Sequence, residues 1–251
     1  MILGFISDPH ANLFALQAVL ADVDSVAPDE LLCLGDFVGY GPNPNEVVEL
    51  LKERCRVSLA GNHDLTVLGA HGIPRMNHIA GAAAEWTSQV ITPESRSFLE
   101  SLAPSGSFRE IELAHASPRS PVIEYVLDLE TAEANFEEKD FRIAIVGHTH
   151  VPAAFWLVDG RIGLSKFLST ADGPAIPFRA PGEPGAARIL LNPGSVGQPR
   201  DRDPRASWAT LDLESQEFVV RKVEYAIEKT QRAIQQAGLP EALAERLASG
   251  W

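Results

Sequence analysis

Asp8 and His10, Asp36, the run Asn62-His63-Asp64, His115, and the pair His148 and His150 are the residues of this chain whose types and spacing could do chemistry. Each group closes a short apolar run: FISDPH, LCLGD, SLAGNHD, ELAHASP and VGHTH, with LLNPGS ending in the same way at Asn192. Five of the 7 histidines sit at such ends. Apolar runs of this length read as buried β-strands, and in mixed α/β proteins ligands bind beyond the carboxyl ends of strands. Carboxylate, amide oxygen and imidazole are hard or borderline donors that suit Mn²⁺, Fe, Zn²⁺ or Mg²⁺, with no thiolate to favour a soft ion. Asp8, His10, Asp36, Asn62, His115, His148 and His150 are more ligands than one tetrahedral ion needs. Two ions sharing one carboxylate would use them all. Such a pair can hold a bridging hydroxide and brace both oxygens of an in-line phosphoryl displacement.

The elements that must carry these residues follow from the hydrophobic pattern. Residues 2–6, 31–34 and 56–60 read as strands, separated by helices that begin near Leu13 and span about 46–52. That alternation predicts a parallel sheet with crossover helices. Residues 70–105 read as helices, with Ala82, Ala83, Trp86 and Val90 on one face and Pro93 in a first turn. Further strands are expected at 110–114, 142–146, 153–158, 188–191, 208–213 and 218–223. Pro, Gly and Ala between 170 and 187 predict an exposed loop. The tail from Tyr225 reads as helical, broken near Gly238 and Pro240. Because the motifs run through most of the chain, residues 1–251 are expected to form a single domain, with the 70–105 segment a candidate cover for the site.

Bulk composition narrows the function classes. The chain has 251 residues, 45% hydrophobic and 22% charged, as in an ordinary soluble globular protein. No apolar stretch is long enough for a bilayer span, and the start lacks the basic leader of a signal peptide. Cys33 and Cys55 form no CxxC pair and read as free thiols, which fits a cytoplasmic location. With 34 acidic against 21 basic residues and a net charge of -13, the chain lacks a basic stripe for a long nucleic acid. A small phosphorylated substrate fits better. The oligomeric state stays open.

The ordered set D-x-H, G-D, G-N-H-D, H and G-H-T-H resembles the calcineurin-like metallophosphoesterase superfamily, and GDFVGYGPNP and NPGSVGQPRD resemble its small bacterial and archaeal phosphodiesterase branch. The resemblance implies an α/β fold, a four-layer αββα sandwich of two mixed β-sheets flanked by helices. It implies that Asp8, His10 and His150 hold one metal, that Asn62, His115 and His148 hold the other, and that Asp36 bridges them. Two divalent ions are implied, Mn²⁺ by preference, with Fe, Zn²⁺, Ni²⁺ or Mg²⁺ as alternatives. His63 would serve as general acid or stabilise charge on the phosphate, with Asp64 orienting it or capping the next helix. Asn192 and Ser195 would sit at the rim and shape substrate access.

Two departures exchange Gly for Ala beside a ligand: Ala11 after D-x-H, and Ala116 after His115. A third concerns charge. Where related phosphatases carry arginines in V-D-R-G and R-G-N-H, this chain reads Val38-Gly39-Tyr40-Gly41 and Ala60-Gly61-Asn62-His63. A phosphomonoester is a dianion and favours arginine clamps, so their absence favours diester cleavage. Arg200 could bind substrate from another loop, although Asp201 and Asp203 beside it suggest a surface ion pair. Tyr40 reads as packing on its own domain, His71 and His78 as surface or lid residues, and the tail helices as cover for a sheet. The resulting expectation is a dimetal phosphodiesterase acting on small organic or nucleotide-like diesters. The alternatives are a phosphomonoesterase, a protein phosphatase or a dinucleoside polyphosphate hydrolase, and, in another class, a non-catalytic protein-binding scaffold like the retromer-subunit relative.

Overall fold

The structure, a computed structural model, describes residues 1–70, 76–166, 175–178, 180 and 187–251. Its strands are β1 (Ile2–Ile6), β2 (Glu30–Cys33), β3 (Val57–Ser58), β4 (Ser105–Phe108), β5 (Ile111–Ala114), β6 (Ile143–Val146), β7 (Ala153–Val158), β8 (Arg161–Lys166), β9 (Ala175–Phe178), β10 (Arg188–Asn192), β11 (Ala206–Asp212) and β12 (Glu217–Val223). The helices are α1 (Leu13–Val26), α2 (Pro44–Arg54), α3 (Asn62–Val67), α4 (His78–Val90), α5 (Pro93–Glu100), α6 (Leu129–Glu138), α7 (Ile227–Gln236) and α8 (Glu241–Glu245), followed by a 3-10 turn, Arg246–Ala248.

Two mixed sheets stack face to face, in the orders β3-β2-β1-β11-β12-β9 and β4-β5-β6-β10-β7-β8. Strand periodicity decides which side chain faces which layer. Leu3 and Phe5 of β1, Ile143 and Ile145 of β6, and Ile189 and Leu191 of β10 meet between the sheets. The alternate residues point outward: Ile6, with Leu31 and Cys33 of β2, toward α1 and α2, and Ala144, Val146 and Leu190 toward α6. The result is the expected αββα sandwich. Each central strand is buried on both faces, which is why its sequence reads as a continuous apolar run.

The parallel connections position the site. β1, β2 and β3 pair in parallel in one sheet, and β5, β6 and β10 in the other. Asp8 and His10 follow β1, Asp36 follows β2 and Asn62 follows β3, while His115 follows β5 and His148 and His150 follow β6.

Several expectations need correction. The 170–187 stretch contains β9, which pairs antiparallel with β12; the rest of that stretch, apart from residues 180 and 187, lies outside the described residues, as does His71. In α4 the buried face is Ala80, Ala83, Ala84 and Thr87, and Val90 is exposed. The tail helices do not cover a sheet. Ile234, Leu239, Leu243 and Leu247 pack against Tyr40, Ala80 and Ala83, so α4 and the tail together wall one side of the Tyr40 loop. Among the described residues no helix is long and apolar enough to cross a membrane.

Candidate metal centre

All seven expected ligands converge, and the six carrying a carboxylate or imidazole are buried. Donor atoms of Asp8, His10, Asp36 and His150 lie within 4.8 Å of one another, and so do those of Asp36, His115 and His148. Asp36 belongs to both groups. His10 Nε2 lies 3.1 Å from His150 Nε2 and 3.5 Å from Asp36 Oδ2, which is also 3.5 Å from His115 Nε2. The Asn62 amide oxygen joins the second group, 3.2 Å from His115 Nε2.

The loops aim these atoms by hydrogen bonds on their far sides. His10 Nδ1 donates to Val38 O at 3.0 Å, His115 Nδ1 to Leu34 O at 2.8 Å and His150 Nδ1 to Gln198 O at 2.6 Å. Each bond fixes the tautomer that leaves an Nε2 lone pair facing the cluster. The two carboxylates are divided in the same way. Asp8 Oδ2 accepts from Ser7 Oγ at 2.5 Å and from the His148 backbone N–H at 3.1 Å, and Asp36 Oδ1 accepts from the His63 N–H at 2.8 Å. Asp8 Oδ1, Asp36 Oδ2 and His148 Nε2 are buried with no hydrogen-bond partner among the described residues. Orphaned acceptors of this kind are rare, and leaving one unmade costs about 1–3 kcal/mol.

Backbone strain is concentrated at the same loops. Asp8, His10, Asp36, His148 and His150 all have left-handed φ between 46° and 63°. Non-glycine residues seldom adopt this region, and clusters of them mark functional sites. Gly147 shows what close approach demands: a side chain there would drive into Ser7 Oγ and the Asp8 carboxylate. Of the two Gly-to-Ala departures, only Ala11 carries strain, with φ 53° at a fully buried position.

Electrostatics fit a missing positive charge. Burial pulls His148 down to about 3 and His150 to about 4, and it holds His10 and His115 low as well, so the imidazoles are neutral, the form that can bind a metal. Burial, with Asp64 and Asp8 nearby, pushes the Asp36 carboxyl far above its usual range. A bound divalent cation would reverse that balance. Donor chemistry, orphaned atoms and charge therefore all suit divalent ions.

The remaining expected residues fall into different places. His63 is buried with its ring 4.8 Å from His10 and 4.3 Å from Tyr40, and its Nδ1 is unpartnered. Asp64 spends its oxygens on the backbone, accepting from Val38 N at 3.1 Å and Gly61 N at 2.8 Å. It thus ties the Asp36 loop to the start of α3. Asn192 and Ser195 are not at a rim. Both are buried; Asn192 Nδ2 donates to Gly147 O at 2.7 Å and Ser195 Oγ to Asp8 O at 2.9 Å, so they brace the loops that carry the ligands.

Among the described residues Arg200 is not part of a surface ion pair either. Asp201 pairs with Lys222 and Asp203 with Arg205, while Arg200 turns inward to Tyr40 Oη and Gln198 Oε1, at 3.3 and 3.0 Å. Its charge bears on His10, His63, His148 and His150. Tyr40 packs in its own domain, as its loop suggested, and His78 is exposed. Two residues at the site had no sequence signal. Tyr125 stacks on His148 with ring centroids 4.0 Å apart, and Arg246 lies over the Tyr40 ring. Neither belongs to an apolar-run motif, and tertiary packing alone brings them in.

The calcineurin-like phosphoesterase superfamily domain matches residues 1–216. The chain belongs to that superfamily. An uncharacterized protein of Methanocaldococcus jannaschii is 35% identical to this phosphoesterase, over 99% of this chain and 98% of its own. A metallophosphoesterase crystal structure from Sphaerobacter thermophilus superposes with a TM-score of 0.83 at 37% identity, covering 100% of both chains. A hypothetical protein from Pyrococcus horikoshii OT3 shares the fold, with a TM-score of 0.78 at 20% identity over 100% of this chain and 98% of its own. As a member of this superfamily the chain is a phosphoric ester hydrolase, with a His/Asp cluster that suits divalent metal.

Proposed function

We propose that this phosphoesterase is a dimetal-dependent phosphodiesterase of small organic or nucleotide-like diesters. The observation that carries the reading is the set of orphaned ligand atoms, Asp8 Oδ1, Asp36 Oδ2 and His148 Nε2, gathered where two donor groups share Asp36. Asp8, His10 and His150 would hold one ion, Asn62, His115 and His148 the other, and Asp36 both. Mn²⁺ is the favoured metal. When bound, the ions supply positive charge to the phosphoryl oxygens and lower the pKa of an attacking water.

The chain's own groups do the rest. Asn192 and Ser195 hold the ligand loops in register, and Asp64 fixes the Asp36 loop against α3. The His63 ring, beside His10, assists departure of the leaving oxygen, as proton donor or by stabilising charge on the phosphate. Among the described residues Arg200 is the one guanidinium whose charge bears on the candidate ligand histidines, which falls short of the multiple clamps suited to a dianionic monoester. The whole chain acts as one domain, since the ligands and the loop that braces them span residues 8 to 200. Free Cys33 and Cys55 accord with a cytoplasmic location.

A monoesterase is the second reading, favoured by the inward turn of Arg200. Comparing bis-p-nitrophenyl phosphate with p-nitrophenyl phosphate on metal-stripped enzyme reloaded with Mn²⁺ separates the two. Metal-dependent preference for the diester supports the diesterase. Preference for the monoester replaces it.

A further inference from the structure

Beside the metal centre lies a cavity of ≈ 470 Å³ lined by Ile79, Arg200, Ala242, Leu243, Arg246 and Trp251. Its size suits a small ligand. Its charge is unusual for so acidic a protein. Among the described residues neither Arg200 nor Arg246 pairs with an Asp or Glu side chain, and the acids flanking Arg200 in sequence are taken by Lys222 and Arg205. Arg246 Nε donates to a main-chain oxygen of Trp251, the last residue of the sequence, at 2.5 Å, and Arg200 Nε is buried with no acceptor among the described residues.

Both guanidinium groups sit 5.9 Å from the centroid of one ring, that of Tyr40. Cation–π packing accounts for one cation on a ring. A second brings like-charge repulsion, and burial together with the Arg200 charge lowers the Arg246 pKa. An anion between the two forks relieves that repulsion. Two guanidinium forks offer more N–H donors than a carboxylate can accept, whereas the terminal oxygens of a phosphate match them. The position is also specific: the Tyr40 ring is 4.6 Å from His10 and 4.3 Å from His63, so one side chain separates the arginine pair from the metal ligands.

We propose that Arg200 and Arg246 form a second anion subsite, through which the enzyme selects phosphoesters that carry a further phosphate group. The scissile ester lies at the metal centre, the further phosphate lies between the arginines, and the connecting part of the substrate rests on Leu243, Ile79 and Trp251. This rests on the phosphoesterase reading of the adjoining centre. It also gives the arginines a role other than clamping a scissile dianion.

Non-hydrolysable ligands test it without turnover. Alkane-α,ω-diphosphonates of graded spacer length, and the matching alkylphosphonates, are titrated calorimetrically into Mn²⁺-loaded wild type, Arg246→Gln and Arg246→Lys. One spacer length is expected to bind wild type roughly tenfold or more tighter than its monophosphonate. That gain should largely vanish in Arg246→Gln and partly survive in Arg246→Lys. If no diphosphonate outbinds its monophosphonate in wild type, or if the gain is intact in a folded Arg246→Gln, the subsite is disproved. Should Arg246→Gln melt early, Ile79→Asp carries the same test, because a carboxylate on the cavity wall competes for the pair and should abolish the gain. The C–P bonds are not cleaved, so failure here leaves diester hydrolysis standing, and inactivity toward bis-p-nitrophenyl phosphate leaves the subsite standing.

Discussion

The backbone N–H of His63 donates to Asp36 Oδ1 at 2.8 Å, so the residue proposed to assist the leaving group also orients the carboxylate shared by both donor groups. One Asp36 oxygen is thereby fixed and the other left for ligands.

Replacing Asp36 by Asn tests that division. Loss of the shared carboxylate should weaken both ions by more than the roughly 10–100-fold seen when only an outer partner is lost, and turnover should vanish. Without metal the order should reverse. Burial with Asp64 and Asp8 makes this carboxylate unfavourable there, so metal-free Asp36→Asn should melt above metal-free wild type. Metal content and melting curves check both halves; full retention of two ions would remove Asp36 from the shared position.

His63→Ala keeps the backbone N–H that holds Asp36. Metal content should therefore stay at the wild-type level while the rate falls by roughly 10²–10⁴, the range of a general acid. An unchanged rate would return His63 to packing against Tyr40.

Ala11 occupies a left-handed conformation with φ 53° in a fully buried loop. Ala11→Gly relieves the Cβ conflict but adds unfolded-state entropy, for a net gain of about 0.5–1 kcal/mol. In a chain of this length that is a rise of about 1–3 °C in Tm. Thermal unfolding of the Mn²⁺-loaded pair measures it, and a lower Tm would show that the loop is not strained.

Asp22 accepts from Arg221 Nε and Trp208 Nε1, each at 2.8 Å. The Arg221 bonds outweigh burial and, with Trp208, lower its pKa. A depressed carboxylate stabilises the fold above its unfolded pKa of about 4 and loses that contribution as pH falls through the folded value. Asp22→Asn should cost about 1 kcal/mol near pH 7 after allowance for solvent screening, and progressively less below pH ~4. Urea midpoints at the two pH values report the difference; a gap that persists in acid would contradict it.

The central strands and the clustering of the candidate donors were legible in the sequence because burial on both faces leaves a bare apolar run, and each run ends where a donor begins. The edges were not. No element is expected at β8, which contains Gly163, β9, which contains Pro177, falls in the expected loop, and α6 buries little beyond Ala132, Asn135 and Phe136. Charge neighbours misled at Arg200, since Asp201 and Asp203 find their cations at Lys222 and Arg205. Asn192 and Ser195 looked exposed because a polar turn after a strand usually is, yet their side chains bond inward. Arg246 and Tyr125 reach the site by tertiary packing, which leaves no local pattern to read.

Asp8 follows a strand of one sheet and His148 a strand of the other, and the 3.1 Å hydrogen bond between them crosses the sandwich. Metal shared among donors from both sheets would work as a rivet through the two layers at one end of their seam. Removing it would free that end while the apolar filling still holds the other. Amide exchange should therefore quicken first in the turns after β1, β2 and β6, leaving the opposite ends of those strands protected.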